Sequence, residues 1–196
     1  MIIIGAGNLG KHILDQLLQD KYTDEILFFD EQISDDFIYG TFRIIHDWKT
    51  FDELIKMDQK FIIAIGNSRK REKMFLKIKT GNYRSVISTH ANFISTFCTI
   101  HTGTIIQPGC CISHNVIIGN SVILHANTLV GHDVTIGNFA TIGSNVNILK
   151  GVNIGEYSTI SPNVLIYPNI KIGRNVFIAP GAIVKTDIED YKTLCD

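Results

Sequence analysis

The sequence predicts two joined domains, a small α/β domain and then a parallel β fold built from a repeat of six residues. Two observations carry this prediction. A glycine-rich turn between a strand and a helix stands at the start of the chain, and an aliphatic residue recurs at every sixth position from Ile94 to Val184. A length of 196 residues suits one or two domains.

The six-residue repeat has no exception in this stretch. The sixteen positions are all Ile, Leu or Val: Ile94, Ile100, Ile106, Ile112, Ile118, Leu124, Val130, Ile136, Ile142, Ile148, Ile154, Ile160, Ile166, Ile172, Ile178 and Val184. These three residues make up about a quarter of ordinary sequence, so chance does not produce the series. A fixed internal period is typical of a repeat fold, in which each unit buries its apolar face against stacked neighbours.

The other positions of each hexad fit the same fold. Four residues after each aliphatic residue comes a smaller or β-branched side chain, as at Thr104, Val116 and Ala140. Gly often follows the aliphatic residue directly, and Asn lies close by: Gly119, Gly131, Gly137, Gly143, Gly155 and Gly173, with Asn120, Asn138, Asn145, Asn163 and Asn175. Both residue types tolerate the left-handed backbone of tight corners, so we expect them to form corners. A helical period of 3.6 cannot yield strict sixes.

These hexads resemble those of the hexapeptide-repeat acyltransferases, whose left-handed β-helix has three six-residue sides to each triangular coil. The resemblance implies about five coils between Ile94 and Val184, within a β-helix domain of residues 85–196. An Ile-rich β-sandwich is the alternative.

Composition excludes several classes of partner. The formal net charge of −1 gives no reason to expect nucleic acid or an anionic membrane as a partner. No run of about eighteen apolar residues predicts membrane insertion, and no secretory signal opens the chain. The four cysteines match no zinc-binding spacing. We therefore expect a cytoplasmic protein with reduced thiols.

The first thirty residues have the pattern of a Rossmann-like βαβ unit. Gly5, Gly7 and Gly10 form a GxGxxG between an apolar strand and a helix that runs to about Gln19, and Asp30 ends the second strand twenty residues after Gly10. Backbone amides at such a turn suit a phosphate or pyrophosphate. A tight turn that binds nothing is the alternative. The domain, residues 1–84, is too short for the second Rossmann half that a dinucleotide requires.

The rest of this domain predicts further strands and helices. We expect strands at 42–45 and 61–65, a helical turn or two over 51–57, and a helix from 69 to about 79 that Asn67 or Ser68 caps. Trp48 is interpreted as a core residue. The basic residues Lys70, Arg71, Lys73, Lys77 and Lys79 are interpreted as a solvated helix face, with a phosphate or ribose contact as the alternative. The carboxyl ends of the strands at Ile4, Phe29 and Ile65 should share one crevice.

Together the two halves resemble sugar O- and N-acyltransferases of the sialic acid O-acetyltransferase and nucleotide-4-amino-sugar N-acetyltransferase type. The resemblance rests on the turn from Gly5 to Lys11, on Phe29-Asp30-Glu31, on Ala64 to Arg69, and on Val130-Gly-His-Asp-Val-Thr-Ile-Gly137. It implies transfer of acetyl from acetyl-CoA to the amine of a nucleotide-linked amino sugar in surface glycan biosynthesis, by a homotrimer without a metal. A sugar O-acetyltransferase, a non-catalytic nucleotide-sugar-binding protein and an NAD-dependent dehydrogenase are the alternatives.

The family's functional residues carry over by position. The resemblance implies His132 as general base, with Asp133 raising its basicity, and a backbone amide near Thr141 or Lys150 for the oxyanion. Implied substrate contacts are Gly7, Asn8, Leu9, Asp30, Glu31, Gly66 and His125, and implied acetyl-CoA contacts are Thr141, Lys150, Pro162 and Pro180. Leu9, His125 and Thr141 replace the His, Asn and His common in the family, which implies altered substrate preference.

The remaining histidines and the cysteines are not expected to act in catalysis. His90, His101, His114 and His125 fall on outward positions in or just before the coils. His114 lies eighteen residues before His132, so we expect it one coil beneath, as a surface or trimer-interface residue. No covalent acyl-enzyme is expected, and therefore no essential cysteine.

Overall fold

The computed structural model describes residues 1–57, 60–78, 82–83, 86–87 and 91–195. The chain forms two compact units, Met1–Val86 and Ile87–Asp196. The predicted domain boundary, between residues 84 and 85, lies outside the described residues, as does the predicted outward position of His90.

The first unit is an α/β domain. In chain order its elements are β1 (Ile2–Ile4), α1 (Asn8–Gln19), β2 (Leu27–Phe29), β3 (Phe37–Ile38), β4 (Phe42–Ile45), α2 (Trp48–Lys56), β5 (Lys60–Ile63), α3 (Ser68–Lys77) and β6 (Asn82–Tyr83). The sheet order is β3-β4-β2-β1-β5-β6, and only the β3–β4 pair is antiparallel. The central strands β1 and β2 are fully apolar, as is usual for strands of a parallel sheet whose faces are covered by helices. Their carboxyl ends share one edge, as predicted.

The glycine turn has a steric reason for its composition. Gly5 has φ +103°, in the region that favours glycine. A Cβ on Gly10 would collide with the carbonyl oxygen of Gly5. Only glycine at position 10 therefore allows α1 to lie this close to the turn.

The structure adjusts the start of the second helix and adds one strand. The second helix begins at Trp48 rather than at residue 51, because Asp47 caps it by accepting the Thr50 N–H at 2.8 Å. The short strand β3, which the sequence did not predict, pairs with β4. For α3, Asn67 is the cap and accepts the Lys70 N–H at 3.0 Å.

The second unit is the predicted left-handed parallel β-helix, with three faces. Face 1 contains β7 (Val86–Ile87), β10 (Ile105–Ile106), β13 (Ile123–Leu124), β16 (Thr141–Ile142), β19 (Thr159–Ile160), β22 (Phe177–Ile178) and β24 (Thr193–Leu194). Face 2 contains β8 (Phe93–Ile94), β11 (Cys111–Ile112), β14 (Leu129–Val130), β17 (Asn147–Ile148), β20 (Leu165–Ile166) and β23 (Ile183–Val184). Face 3 contains β9 (Thr99–Ile100), β12 (Ile117–Ile118), β15 (Thr135–Ile136), β18 (Asn153–Ile154) and β21 (Lys171–Ile172).

Successive coils stack in a constant register through most of this unit. Cys111 pairs with Leu129, and Leu129 pairs with Asn147, so each strand pairs with the strand eighteen residues later. The hexad aliphatic residues from Ile106 onward point inward and form one buried column with the small residues between them. This core is what makes each coil depend on its neighbours.

The predicted role of the glycines after the aliphatic residues is wrong. They do not adopt left-handed backbone; the corners with positive φ are held by residues such as Asn115, Asn145 and Asn163. A Cβ on Gly137 would lie 2.6 Å from the Glu156 nitrogen of the next coil. Gly is therefore required at these positions because adjacent coils approach each other closely. Asn120 and Asn138 have no positive φ either, and instead form a ladder in which the Asn138 Oδ1 accepts the Asn120 N–H at 2.8 Å.

The coils continue past the last predicted hexad, with a change of register. Ile188 bridges to Ile172 and Thr193 pairs with Phe177, and each spacing is sixteen residues (188 − 172 and 193 − 177) rather than eighteen. Two residues are thus missing from the side that follows Val184. The Lys171 N–H donates to the Asp187 carboxylate at 2.8 Å in this shortened side.

Candidate active site

A crevice of about 480 Å³ opens at the carboxyl ends of β1, β2 and β5. Three of the predicted substrate contacts line it, namely Gly7, Asp30 and Glu31. Asn8 and Leu9 form the first turn of α1, and neither they nor Gly66 belong to the crevice lining. The structure therefore brings together half of the predicted substrate set of this unit.

The carboxylate of Asp30 holds the glycine turn in place. Its Oδ2 accepts the Ala6 N–H at 2.9 Å, and its Oδ1 accepts the Gln32 N–H at 2.9 Å. Each carboxylate oxygen can accept a further hydrogen bond. Asp30 thus organises the crevice wall through its two backbone partners.

Trp48 connects the core to the crevice. It packs edge-on against Phe29 at 4.7 Å and Phe51 at 5.2 Å between ring centroids, as predicted for a core residue. It also lines the crevice, where its indole Nε1 donates to the Glu31 Oε1. The Lys77 Nζ lies 3.2 Å from the centroid of the indole ring. Trp48 is a crevice residue that sequence reasoning missed.

The interpretation of the basic residues of α3 as a solvated face is wrong in part. Lys70, Lys73 and Lys77 line the crevice, because a spacing of three and four residues puts them on one side of the helix. Arg71 is fully buried instead, and its Nη1 donates to the carbonyls of Ile65 at 2.7 Å and Gly66 at 2.8 Å. Burial lowers the pKa of Arg71 to about 10, so the guanidinium stays protonated at neutral pH. The predicted basic residue Lys79 lies outside the described residues.

In the β-helix, His132 and Asp133 form a hydrogen-bonded pair at the corner between faces 2 and 3. The His132 Nδ1 lies 2.7 Å from the Asp133 Oδ2. This bond is the main cause of the lowered pKa of Asp133, and a bond from Asn115 adds to it. An ionised carboxylate only accepts, so Nδ1 carries a proton, and in the neutral imidazole Nε2 then carries the lone pair. The pair has the arrangement of a general base with an orienting acid.

His114 lies one coil beneath His132, as predicted from its spacing. The interpretation of His114 as a surface residue misses one contact, since the two imidazole rings stack at 5.1 Å with an interplanar angle of 1°. The Asp133 N–H also donates to the His114 carbonyl at 3.2 Å. The two corners are therefore joined through both backbone and side chains.

A groove of about 290 Å³ lies along the opposite edge of face 2, at the corner between faces 1 and 2. It brings together His125, Thr141 and Pro162 with the hydroxyls of Ser144 and Ser161. Pro180 follows Pro162 by one coil of eighteen residues on the same corner. Lys150 lies instead on the corner of His132, so the predicted acetyl-CoA contacts are divided between the two edges of face 2.

The tautomer of His125 follows from its partner. The Gln107 Oε1 accepts the Ala126 N–H at 3.2 Å, which identifies it as the amide oxygen. The His125 Nδ1, 3.0 Å from the same oxygen, must then be a donor, so in the neutral imidazole Nε2 carries the lone pair. Gln107 contacts the groove residue His125, and this contact was not predicted from the sequence. The Thr141 N–H, a predicted oxyanion donor, is already used, since it donates to the Ser158 carbonyl at 2.9 Å.

The cysteines have the properties of structural residues. All four are free. Burial raises the pKa of the Cys98 and Cys110 thiols, and Cys110 is fully buried in the β-helix core. Within the described part of the chain, no three His, Cys, Asp or Glu side chains form a metal-ligand group. None of the described helices is long and apolar enough to cross a membrane.

Two family models match this chain. The model of the PglD N-terminal domain matches residues 1–78, and that of the bacterial transferase hexapeptide (six repeats) matches 115–150 and 151–186. The first part of the chain is therefore similar to the PglD N-terminal domain, and the later part is similar to transferase hexapeptide repeats. The resemblance stated from the motifs is thus confirmed in both halves. No curated protein matches the chain.

Solved structures match nearly the whole chain. The acetyltransferase domain of PglB from Neisseria gonorrhoeae FA1090, in complex with acetyl coenzyme A, has a TM-score of 0.91 at 23% identity, covering 98% of this chain and 93% of that one. A mutant of perosamine N-acetyltransferase from Caulobacter crescentus, in complex with CoA and GDP-perosamine, has a TM-score of 0.87 at 23% identity, covering 96% and 90%. WeeI from Acinetobacter baumannii AYE has a TM-score of 0.82 at 20% identity, covering 100% and 95%. At these identities the matches establish the fold.

Proposed function

We propose that this protein is an acetyltransferase that moves acetyl from acetyl-CoA to the amine of a nucleotide-linked amino sugar, in surface glycan biosynthesis. The observation that carries the proposal is the 2.7 Å bond between the His132 Nδ1 and the Asp133 Oδ2, on a partly exposed corner of a transferase β-helix. In the neutral ring this bond leaves Nε2 of His132 without a proton, so Nε2 can accept one.

The chemistry needs one proton acceptor. The amine nitrogen forms a bond to the thioester carbonyl carbon, and its proton passes to the Nε2 of His132. The carbon–sulfur bond then breaks, the amide remains on the sugar, and the imidazolium returns the proton to the departing CoA thiolate. An unperturbed imidazole has a pKa of about 6.5, which suits this exchange near neutral pH. Asp133 holds the ring in one tautomer and favours the imidazolium.

The crevice of the first unit would hold the nucleotide. Lys70, Lys73 and Lys77 line this cavity together with the glycine turn, and basic side chains beside such a turn suit the phosphates of a sugar nucleotide. The carboxylates of Asp30 and Glu31 lie in the same lining and suit hydroxyl groups of the ligand. GDP-perosamine, bound by a solved structure of the same fold, is a substrate of this class.

The groove at the corner between faces 1 and 2 would hold part of the acetyl-CoA. Thr141, Ser144 and Ser161 supply hydroxyls, and His125 supplies an imidazole, for the amide-rich arm of the donor. The PglB domain, which is solved with acetyl coenzyme A, has the same fold.

We propose a homotrimer in which face 2 points toward the threefold axis. Its outward residues are apolar except Asn147: Phe93, Cys111, Leu129, Leu165 and Ile183. Face 3 is mostly polar, with Ile117 among Thr99, Thr135, Asn153 and Lys171. An apolar face of parallel strands is suited to burial against copies of itself.

The trimer would also complete the site. His132 and the groove of His125 occupy opposite edges of face 2, so a single chain separates the base from the donor groove. When three copies turn face 2 inward, the His132 edge of one copy meets the His125 edge of the next. We further propose a cytoplasmic setting, where free thiols such as these four persist.

The test is to incubate the protein and acetyl-CoA with each of a panel of UDP-, dTDP- and GDP-linked amino sugars and to measure the release of free thiol. We expect one of these amino sugar nucleotides to cause release of the CoA thiol from acetyl-CoA. The variant His132→Ala should lower the rate of this release by roughly 10²–10⁴-fold and leave the affinity for acetyl-CoA nearly unchanged. Asp133→Asn should have a smaller effect, and Cys110→Ala almost none. Near wild-type turnover by His132→Ala would contradict the proposal.

A further inference from the structure

The Asp133 carboxylate has a second partner besides His132. The Asn115 Nδ2 lies 3.1 Å from the Asp133 Oδ1, while the Oδ2 lies 2.7 Å from His132. Because an ionised carboxylate only accepts hydrogen bonds, the atom of Asn115 that faces it is the amide nitrogen. Each oxygen of Asp133 is thereby assigned to one neighbour.

The backbone of Asn115 is hydrogen-bonded to the preceding coil. Asn115 lies one coil, eighteen residues, before Asp133, and both residues adopt left-handed backbone, with φ +56° and +61°. The Asn115 N–H donates to the Phe97 carbonyl at 2.9 Å, and the Asp133 N–H donates to the His114 carbonyl at 3.2 Å. The backbone that carries the Asn115 amide is thus fixed relative to the backbone that carries Asp133.

We infer that Asn115 is a positioning residue, which fixes the Asp133 carboxylate so that its Oδ2 holds the His132 Nδ1–H and leaves Nε2 for the substrate. His114 supports the same arrangement, since its ring lies flat against the His132 ring at 5.1 Å. The role in turnover rests on the proposed function. The effect on the His132 tautomer does not, because it follows from the two hydrogen bonds alone.

The charged and titratable groups around His132 are few in the described residues of its corner. Asp133 lies beside it, His114 lies beneath it, and Lys150 occupies the same position of the next coil. Replacing the neutral Asn115 by Asp adds a negative charge next to Asp133. That charge favours the imidazolium form of His132 over its neutral form.

The experiment compares Asn115→Gly and Asn115→Asp with Asn175→Gly and Asn175→Asp. Gly and Asp both tolerate left-handed backbone. Asn175 is a matched control, because it has φ +53° on a different corner of the β-helix. Long-range proton–nitrogen NMR of the His132 ring reports its tautomer and its titration without any substrate.

In the wild type and in both Asn175 variants, we expect His132 to carry its neutral-form proton on Nδ1. Asn115→Gly should give a mixture of tautomers and a kcat lower by roughly ten-fold with unchanged KM for acetyl-CoA. Asn115→Asp should move the His132 titration and the acid limb of kcat/KM to higher pH. A wild-type tautomer and titration in both Asn115 variants would overturn the inference. If the wild type transfers no acetyl group but the NMR shifts occur, only the proposed function fails.

Discussion

At the scale of single residues, Asp30 has a structural role that must be separated from its proposed contact with a ligand. Its two carboxylate oxygens accept the N–H groups of Ala6 and Gln32. We expect Asp30→Ala to weaken binding of the acceptor nucleotide, because it removes a wall of the crevice and loosens the glycine turn. Binding of acetyl-CoA should stay nearly unchanged. Calorimetric titration of each ligand checks both expectations.

Asp47→Ala is the matched control for this change. Asp47 also accepts a backbone N–H through its carboxylate, from Thr50 at 2.8 Å, but it does not line the crevice of about 480 Å³. It should lower the melting temperature through loss of the α2 cap while acceptor binding persists. Equal losses of acceptor affinity in the two variants would show that Asp30 acts only through the fold.

At the scale of elements, the coils of the β-helix separate two reasons for glycine. Gly155 has no positive φ, but a Cβ there would lie 2.5 Å from the Arg174 nitrogen of the next coil. Gly181 has φ +78° with nothing near its Cβ position, and Asn163 occupies the same corner one coil earlier. We expect Gly155→Ala to lower the free energy of unfolding by about 1–3 kcal/mol through overpacking of backbone.

Gly181→Asn should be nearly neutral, because Asn adopts left-handed backbone and the space is open. Thermal unfolding of the two variants and the wild type under one set of conditions checks the contrast. A loss in Gly181→Asn as large as that in Gly155→Ala would show that the stability lost at such corners does not depend on how closely the next coil approaches.

At the scale of the whole molecule, the proposed assembly would decide whether His132 and the groove of His125 meet. Leu129 is 41% exposed on face 2, and Ile117 is 47% exposed on face 3. We expect Leu129→Glu to dissociate the proposed homotrimer and to abolish acetyl transfer, because three buried carboxylates would face one axis. Light scattering gives the mass, and thiol release gives the activity.

Ile117→Glu is the control of similar exposure on the other face. It should leave both the trimer and the activity intact, because face 3 is not expected to contact another copy. A wild-type protein that is monomeric and still releases thiol from acetyl-CoA would contradict the assembly. Dissociation by Ile117→Glu rather than by Leu129→Glu would assign the interface to face 3.

The β-helix and its site corner could be predicted from the sequence because their determinants are periodic and local. A strict period of six fixes which residues point inward, and a spacing of eighteen puts His114 directly beneath His132. The His132–Asp133 pair is adjacent in sequence, so one corner suffices to join the two side chains. The glycine turn and Asp30 are likewise set by a short βαβ unit.

Only the tertiary structure decided the residues whose roles depend on distant neighbours. Arg71 belongs to a basic run, yet its side chain is buried, because the carbonyls of Ile65 and Gly66 accept hydrogen bonds from its guanidinium. The hexad glycines are required by the backbone of the next coil, which no local preference reveals. Trp48 reaches Glu31 across seventeen residues. A periodic sequence determines which side chains point into the coil and which residues stack on one another. The close approach of one backbone to the next and the choice of hydrogen-bond partners depend instead on which segments the fold brings together.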